Sequence, residues 1–182
     1  VSETDKPLLI LDLDETLVHA SEVPLARAPD FVVASYALYL RPGVAAFLDH
    51  VAQHYALAVW TSSSPLYARA VVDHVFADPT SLAFVWASDR CTLRRDLERD
   101  TWDQTKPLRK LRRRGYDLRR VLVVDDSPEK HTRNYVNLVI VRPFEGDPAD
   151  DELASLSRYL EQLAAAPDFR RVEKRGWRKA RE

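Results

Sequence analysis

Apolar residues along this chain fall in short runs that stop on polar ones, and the spacing within each run predicts what it forms. Residues 8–11, Leu-Leu-Ile-Leu after Pro7, have no polar face and read as a strand buried on both sides of a parallel sheet. Residues 56–60, 82–87, 121–124 and 138–141 read the same way. Val44, Phe47, Leu48 and Val51 recur at helical spacing and predict a helix over 45–54, with Pro42 suited to its first turn. Further helices are predicted over 66–76 and over 108–114, the latter closed by Gly115. A last helix carries the stripe Leu153, Leu156, Leu160 and Leu163 and ends before Pro167. Residues 19–30 hold two prolines and no period and read as loop, whereas 31–40 are rich in strand formers and read as a β-hairpin. The charged stretch 93–103, with its signs interleaved, reads as a solvated helix or an ordered loop. Residues 168–182 are polar and basic apart from Phe169, Val172 and Trp177, and form a tail that an aromatic residue can dock.

Length and composition narrow the class. At 182 residues there is room for one domain, here 1–166 followed by a basic C-terminal tail over 167–182, and little room for a second. A net charge of -1 with 46% hydrophobic residues argues against a nucleic-acid binder driven by bulk charge. No apolar stretch approaches the roughly 20 residues of a membrane span, and the first residues lack a signal peptide's pattern. A cytoplasmic protein is therefore expected. The lone Cys91 fits a reducing compartment.

The candidate chemistry sits where the strands stop. Asp12 and Asp14 follow the first strand, at the end where open α/β sheets bind ligands. Two neighbouring carboxylates repel, so they call for a cation, or one of them becomes a general acid; an acidic turn capping a helix is the plainer alternative. The second strand stops on Thr61-Ser62-Ser63-Ser64-Pro65, hydroxyls that suit either an anion site or an ordinary serine cap. Lys106 stands ahead of a predicted helix, and the fourth strand stops on a second pair, Asp125-Asp126. Two paired acids, a hydroxyl run and a lysine at strand ends together make a phosphate and metal site. His50 and His54 have the spacing of a two-histidine metal site, but no carboxylate lies between them and they read as a solvated edge. Asp147, Asp150 and Asp151 lack a calcium loop's glycine-centred pattern and suit the start of a helix instead.

The run Asp12-Leu-Asp-Glu-Thr16-Leu-Val-His19 resembles the first signature of the haloacid dehalogenase superfamily of phosphatases. More narrowly it resembles the branch acting on the RNA polymerase II C-terminal domain, the NLI-interacting-factor-like branch. The resemblance extends over about residues 7 to 165, through Thr61, Lys106 and Asp125-Asp126. It implies a Rossmann-like three-layer α/β fold with a central parallel sheet, a small β-hairpin flap and no large cap domain. It implies Mg²⁺-dependent phosphate-monoester hydrolysis, with Asp12 as nucleophile, Asp14 as acid and base, and Thr61 and Lys106 on the phosphoryl group. Metal ligands would be Asp12, the carbonyl of Asp14, and Asp126, ranked above Asp125, which would act through water or as an anchor behind the ligands; Thr16, Ser62 and Arg90 are candidate substrate contacts. Proline rather than aspartate follows Lys106, a departure that removes a neighbouring carboxylate.

An uncapped site suits a phosphorylated protein segment or a nucleic-acid end better than a small metabolite, and the resemblance favours the protein segment. The rivals are a polynucleotide or nucleotide phosphatase, since the basic run 109–114 and the basic tail can follow nucleic-acid ends, and a binding module without catalysis.

Overall fold

The apolar runs build a five-stranded parallel sheet, seen in a computed structural model that describes residues 6–96 and 100–179. In chain order the elements are β1 (Leu8–Leu11), β2 (Val18–Ser21), β3 (Phe31–Val33), β4 (Tyr36–Leu40) and α1 (Val44–His54). There follow β5 (Ala56–Trp60), α2 (Pro65–Val75), β6 (Val85–Trp86), β7 (Thr92–Asp96) and β8 (Thr101–Thr105). The chain continues through α3 (Arg109–Arg112), β9 (Val121–Asp125), β10 (Leu138–Ile140) and α4 (Glu152–Leu163). The main sheet has the order β10-β9-β1-β5-β6 with β1 central, its Leu8 level with Ala56 on one side and Val121 on the other.

Alternation along the strands separates two cores. Leu9, Leu11, Val59, Leu122 and Val124 face α1, α2 and α4, while Leu8, Ile10, Trp60, Val121 and Val123 face Leu108 and Leu111 around α3. Each side chain of this kind, fully buried, stabilises the fold by about 1.5–3 kcal/mol. The result is a three-layer α/β fold, thick on one face and thin on the other.

The remaining strands correct several expectations. The segment after the first signature is not all loop: β2 pairs with β4, and β4 with β3, to give a three-stranded antiparallel flap. The expected hairpin is its core, turning at Ala34 with φ 53. The strand expected over 82–87 shortens to Val85–Trp86, in register with Val59 and Trp60 of β5, and Ala83 N–H also donates to the Leu57 carbonyl. Of the stretch 93–103, residues 97–99 lie outside the described ones, and the rest is not helix: β7 and β8 pair antiparallel with Thr92 opposite Thr105 and Arg94 opposite Asp103. β-Branched and aromatic residues, Thr92, Thr101, Trp102 and Thr105, favour the extended chain there. The helix expected over 108–114 is a single turn, and Gly115 follows with φ 87. Residues 168–179 pack against the domain: Phe169 and Trp177 are buried in the main core, and Trp177 Nε1 donates to the Ile140 carbonyl at 2.8 Å.

Candidate active site

The carboxyl ends of β1, β5 and β9 meet at an open cleft of about 490 Å³ lined by Asp12, Asp14, Thr61, Ser62, Tyr67 and Lys130, among others. The turn after β1 sets the first two. Leu17 and Val18 N–H groups both donate to the Leu13 carbonyl, and Glu15 takes the left-handed conformation, φ 58. That conformation is uncommon outside glycine and is held here by surrounding bonds. The Glu15 carboxylate lies 3.0 Å from His19 Nδ1, and its carbonyl accepts from Phe144 N–H. Arg41, fully buried, ties the same turn from below: its Nη1 donates to the Thr16 carbonyl, while Nε and Nη2 each donate to Asp150 at 2.8 Å.

Asp12 and Asp14 share the cleft but have different partners. Asp12, 2% exposed, lies with Oδ1 2.8 Å from Lys106 Nζ. Asp14 accepts from Ser63 Oγ–H at 2.7 Å and from Tyr67 O–H at 2.6 Å, both from the start of α2. Burial, and then the Asp14 carboxylate, push the Tyr67 phenol far above its ordinary range, so it remains a donor.

Beneath the cleft Lys106 is completely buried between Asp12 and Asp125, its Nζ 2.6 Å from Asp125 Oδ2. Burial works against the ammonium, but the two carboxylates outweigh it and raise Lys106 above its usual range. Burial likewise opposes the Asp125 charge, and Lys106 and His131 outweigh it, holding Asp125 well below the normal carboxylate range. Asn134 Nδ2 donates to His131 Nδ1 at 3.0 Å, which leaves His131 Nε2–H to donate to Asp125 at 2.9 Å. Asp125 Oδ1 accepts from Ser127 N–H. Burial first, and Asp125 second, push Asp12 up to about 7, and the same two causes raise Asp126.

Carboxylate oxygens of Asp12, Asp125 and Asp126 come within 4.8 Å of one another. Three carboxylates against one buried ammonium leave an excess of negative charge, and the donors are hard oxygens, so the cluster suits a hard divalent cation. Asp12 Oδ1, although close to Lys106, has no hydrogen bond of good geometry and remains available. The Asp126 side-chain contacts are long, 3.5 Å to Thr16 Oγ1 and 3.4 Å to Ser127 Oγ, whereas both oxygens of Asp125 are engaged.

The fold brings together Asp12, Asp14, Thr61, Ser62, Lys106, Asp125 and Asp126. Thr16 is fully buried with its hydroxyl toward Asp126, below the cleft. Arg90 is exposed, 3.4 Å from Asp89, and does not line the cleft. Ser63, Tyr67, His131 and the Arg41–Asp150 pair were not anticipated; only Ser63 had a local signal, the hydroxyl run. His50 and His54 are joined by Glu161 of α4, 3.3 Å from His50, just ahead of β5 and so at the opposite end of the sheet from the cleft.

Comparison with known proteins places this geometry. Residues 7–170 match the family described as NLI interacting factor-like phosphatase. Carboxy-terminal domain RNA polymerase II polypeptide A small phosphatase 1 of Homo sapiens is 32% identical, over 91% of this chain and 62% of that protein. A CTD nuclear envelope phosphatase 1 homolog of Drosophila melanogaster is 30% identical, over 94% of this chain and 73% of that protein. The chain thus spans between about three fifths and three quarters of these relatives' length. Among solved structures, Fcp1, described as an essential RNA polymerase II CTD phosphatase, superposes with a TM-score of 0.66 at 21% identity, over 88% of this chain and 62% of that one. A Bacteroides fragilis phosphatase domain complexed with Mg gives 0.51 at 16% identity, over 90% and 42%. These likenesses show the haloacid dehalogenase-type fold. The expectation of a cytoplasmic protein is overturned by relatives named for the nuclear envelope. No helix among the described residues is long and apolar enough to cross a membrane, and such an absence does not specify a compartment.

Proposed function

The chain belongs to the NLI interacting factor-like phosphatases, and on that premise we propose that it hydrolyses phosphate monoesters, on phosphoserine or phosphothreonine in protein segments, through an aspartyl-phosphate on Asp12. The observation that carries this reading is the division of partners between two carboxylates of one cleft: Asp12 on buried Lys106, Asp14 on two hydroxyl donors. Environments that separate two acids in this way assign them two roles.

The Asp12 carboxylate attacks phosphorus as the ester bond to the leaving oxygen breaks, and Asp14 gives that oxygen a proton. Asp14 then takes a proton from the water that attacks the aspartyl-phosphate, which releases phosphate and restores Asp12. Thr61 Oγ1 accepts from Ser63 N–H, so its own proton is available to a phosphoryl oxygen. Lys106 balances charge from below, and Ser62 lines the same wall. Mg²⁺, held by Asp12, the Asp14 carbonyl and Asp126, would supply the positive charge that lets a phosphate dianion approach a carboxylate. The engagement of both Asp125 oxygens supports Asp126 as the direct ligand and Asp125 as the anchor of Lys106. Thr16 then steadies Asp126 rather than touching substrate, and Arg90 stands outside the contact set. The cleft's openness, with no folded cap over it among the described residues, favours a chain segment over an enclosed small molecule, and the family favours protein.

Phosphate release from a phosphoserine peptide, an aryl phosphate and 5′- and 3′-phosphorylated oligonucleotides, each with Mg²⁺ and with chelator, tests the reading. Chelator-sensitive release, fastest from the peptide, is expected. Preference for an oligonucleotide would transfer the activity to nucleic-acid ends, and no release from a folded, Mg²⁺-supplied protein would leave a binding module.

A further inference from the structure

Beside the cleft lies a smaller cavity of about 160 Å³, where the β7–β8 hairpin meets α3 and the loop after β9. Its charged lining is entirely cationic: Arg94, Arg109, Lys130 and Arg133, with no carboxylate among the lining residues. Among the described residues none of the four forms an ion pair, and Asp103, opposite Arg94 in the hairpin register, is not within ion-pair reach of it. Elsewhere the cations of this surface are commonly neutralised, as in Arg95–Asp100, Arg119–Asp117 and Arg175–Glu173. Below the range of drug-sized pockets, roughly 300–1,000 Å³, the cavity suits a small anion. Its floor is anchored to the site: Asn134 holds both Leu108 N–H and His131, and His131 holds Asp125. Lys130 lines this cavity and the cleft alike.

We propose that the cavity binds a second phosphate group of the same substrate, so that the preferred substrate is a protein segment phosphorylated at two nearby residues. The inference rests on the phosphatase reading above. An extended chain rises about 3.3 Å per residue, so phosphorylated residues two or three apart present groups roughly 7–10 Å apart. Lys130, common to both linings, makes the two cavities neighbours, so one short segment can present a phosphate to each. Arginine is suited to the task, because its planar fork pairs with phosphate oxygens two at a time.

The test uses a peptide with one phosphoserine and a set in which a second is placed one to four residues to either side. Turnover is read on the wild-type protein with Mg²⁺, and binding by fluorescence anisotropy on the Asp12→Asn variant. Hydrogen bonds to charged groups predict about a tenfold or greater gain in KM and Kd at one favoured spacing. Arg109→Ala and Arg133→Ala should remove the gain and leave the singly phosphorylated peptide unchanged; both side chains are exposed and unpaired among the described residues, so melting temperature should hold. An equal gain at every spacing, or one that survives both substitutions, overturns the proposal. So does a preference for a 5′-phosphorylated oligonucleotide over every peptide with the same arginine dependence. Spacing-dependent binding without hydrolysis would sink the phosphatase reading but not the subsite, whereas hydrolysis without any gain does the reverse.

Discussion

Lys106 and Asp125 are joined by a 2.6 Å ion pair at a point where neither side chain touches solvent. The pair forms the electrostatic floor of the site, because the same ammonium also faces Asp12. Replacing Lys106 by methionine would leave buried carboxylates without their cation. A loss of about 3–5 kcal/mol is expected in urea denaturation with chelator, since breaking a buried pair costs far more than the pair is worth. Mg²⁺ should recover part of that loss in the variant; an unchanged midpoint would show that Lys106 is not the counter-ion.

Tyr67→Phe removes one of the two donors that aim Asp14. The phenol holds Asp14 in place as acid and, once its proton has gone, as the ionised base, where such a bond is worth roughly 1.5–3 kcal/mol, so kcat should fall about tenfold or more with little change in KM. Steady-state kinetics on a phosphoserine peptide checks this. A purely raised KM would place Tyr67 on the substrate instead.

Asp12→Asn should lower turnover by a factor on the order of 10⁴ or more, as removal of a nucleophile does. It should also change how stability depends on pH. Asp12 is raised to about 7 by burial and by Asp125, so in metal-free protein the unfolded chain ionises first as pH rises. Wild-type stability contributed by this group is complete below about pH 4 and is lost as pH rises to about 7. The variant's advantage in unfolding free energy, read by urea denaturation, should therefore be absent near pH 4 and largest near pH 7, at most about 4 kcal/mol. A difference that is flat with pH would contradict the assignment.

Asp150→Ala strands the guanidinium of Arg41, fully buried beneath the first signature. The expected cost is about 3–5 kcal/mol, together with lower activity, because Arg41 also braces the Thr16 carbonyl. The side-chain bond to Arg41 holds Asp150 below its usual range against burial, so this contribution is present above its unfolded pKa and lost as pH falls. Chemical denaturation of wild type and variant at pH 7 and at about pH 3, below the unfolded carboxylate's range, should show the gap narrowing in acid.

The legible parts of this molecule were those written locally. Strands β1, β5 and β9 announced themselves as apolar runs, and Asp12, Thr61 and Asp125 as the polar residues that stop them. Opposite charges in the β7–β8 hairpin, Arg94 facing Asp103, produce the same interleaved signs as a solvated helix, so the pattern alone misled. Arg41 finds Asp150 109 positions away, and Tyr67 finds Asp14 across 53; no window on the sequence contains both partners. His131 is hidden differently, one polar residue in a polar loop until Asp125 and Asn134 close around it.

Trp177 and Arg178 both donate to the carbonyl of Ile140, the last residue of the sheet's outermost strand. An uncovered strand of this kind is a template on which another chain can add, the first step toward aggregation. Residues 168–179 thus work as a selvedge at that corner: they bind off the carbonyl that ends the strand and shorten the margin on which another chain could be woven.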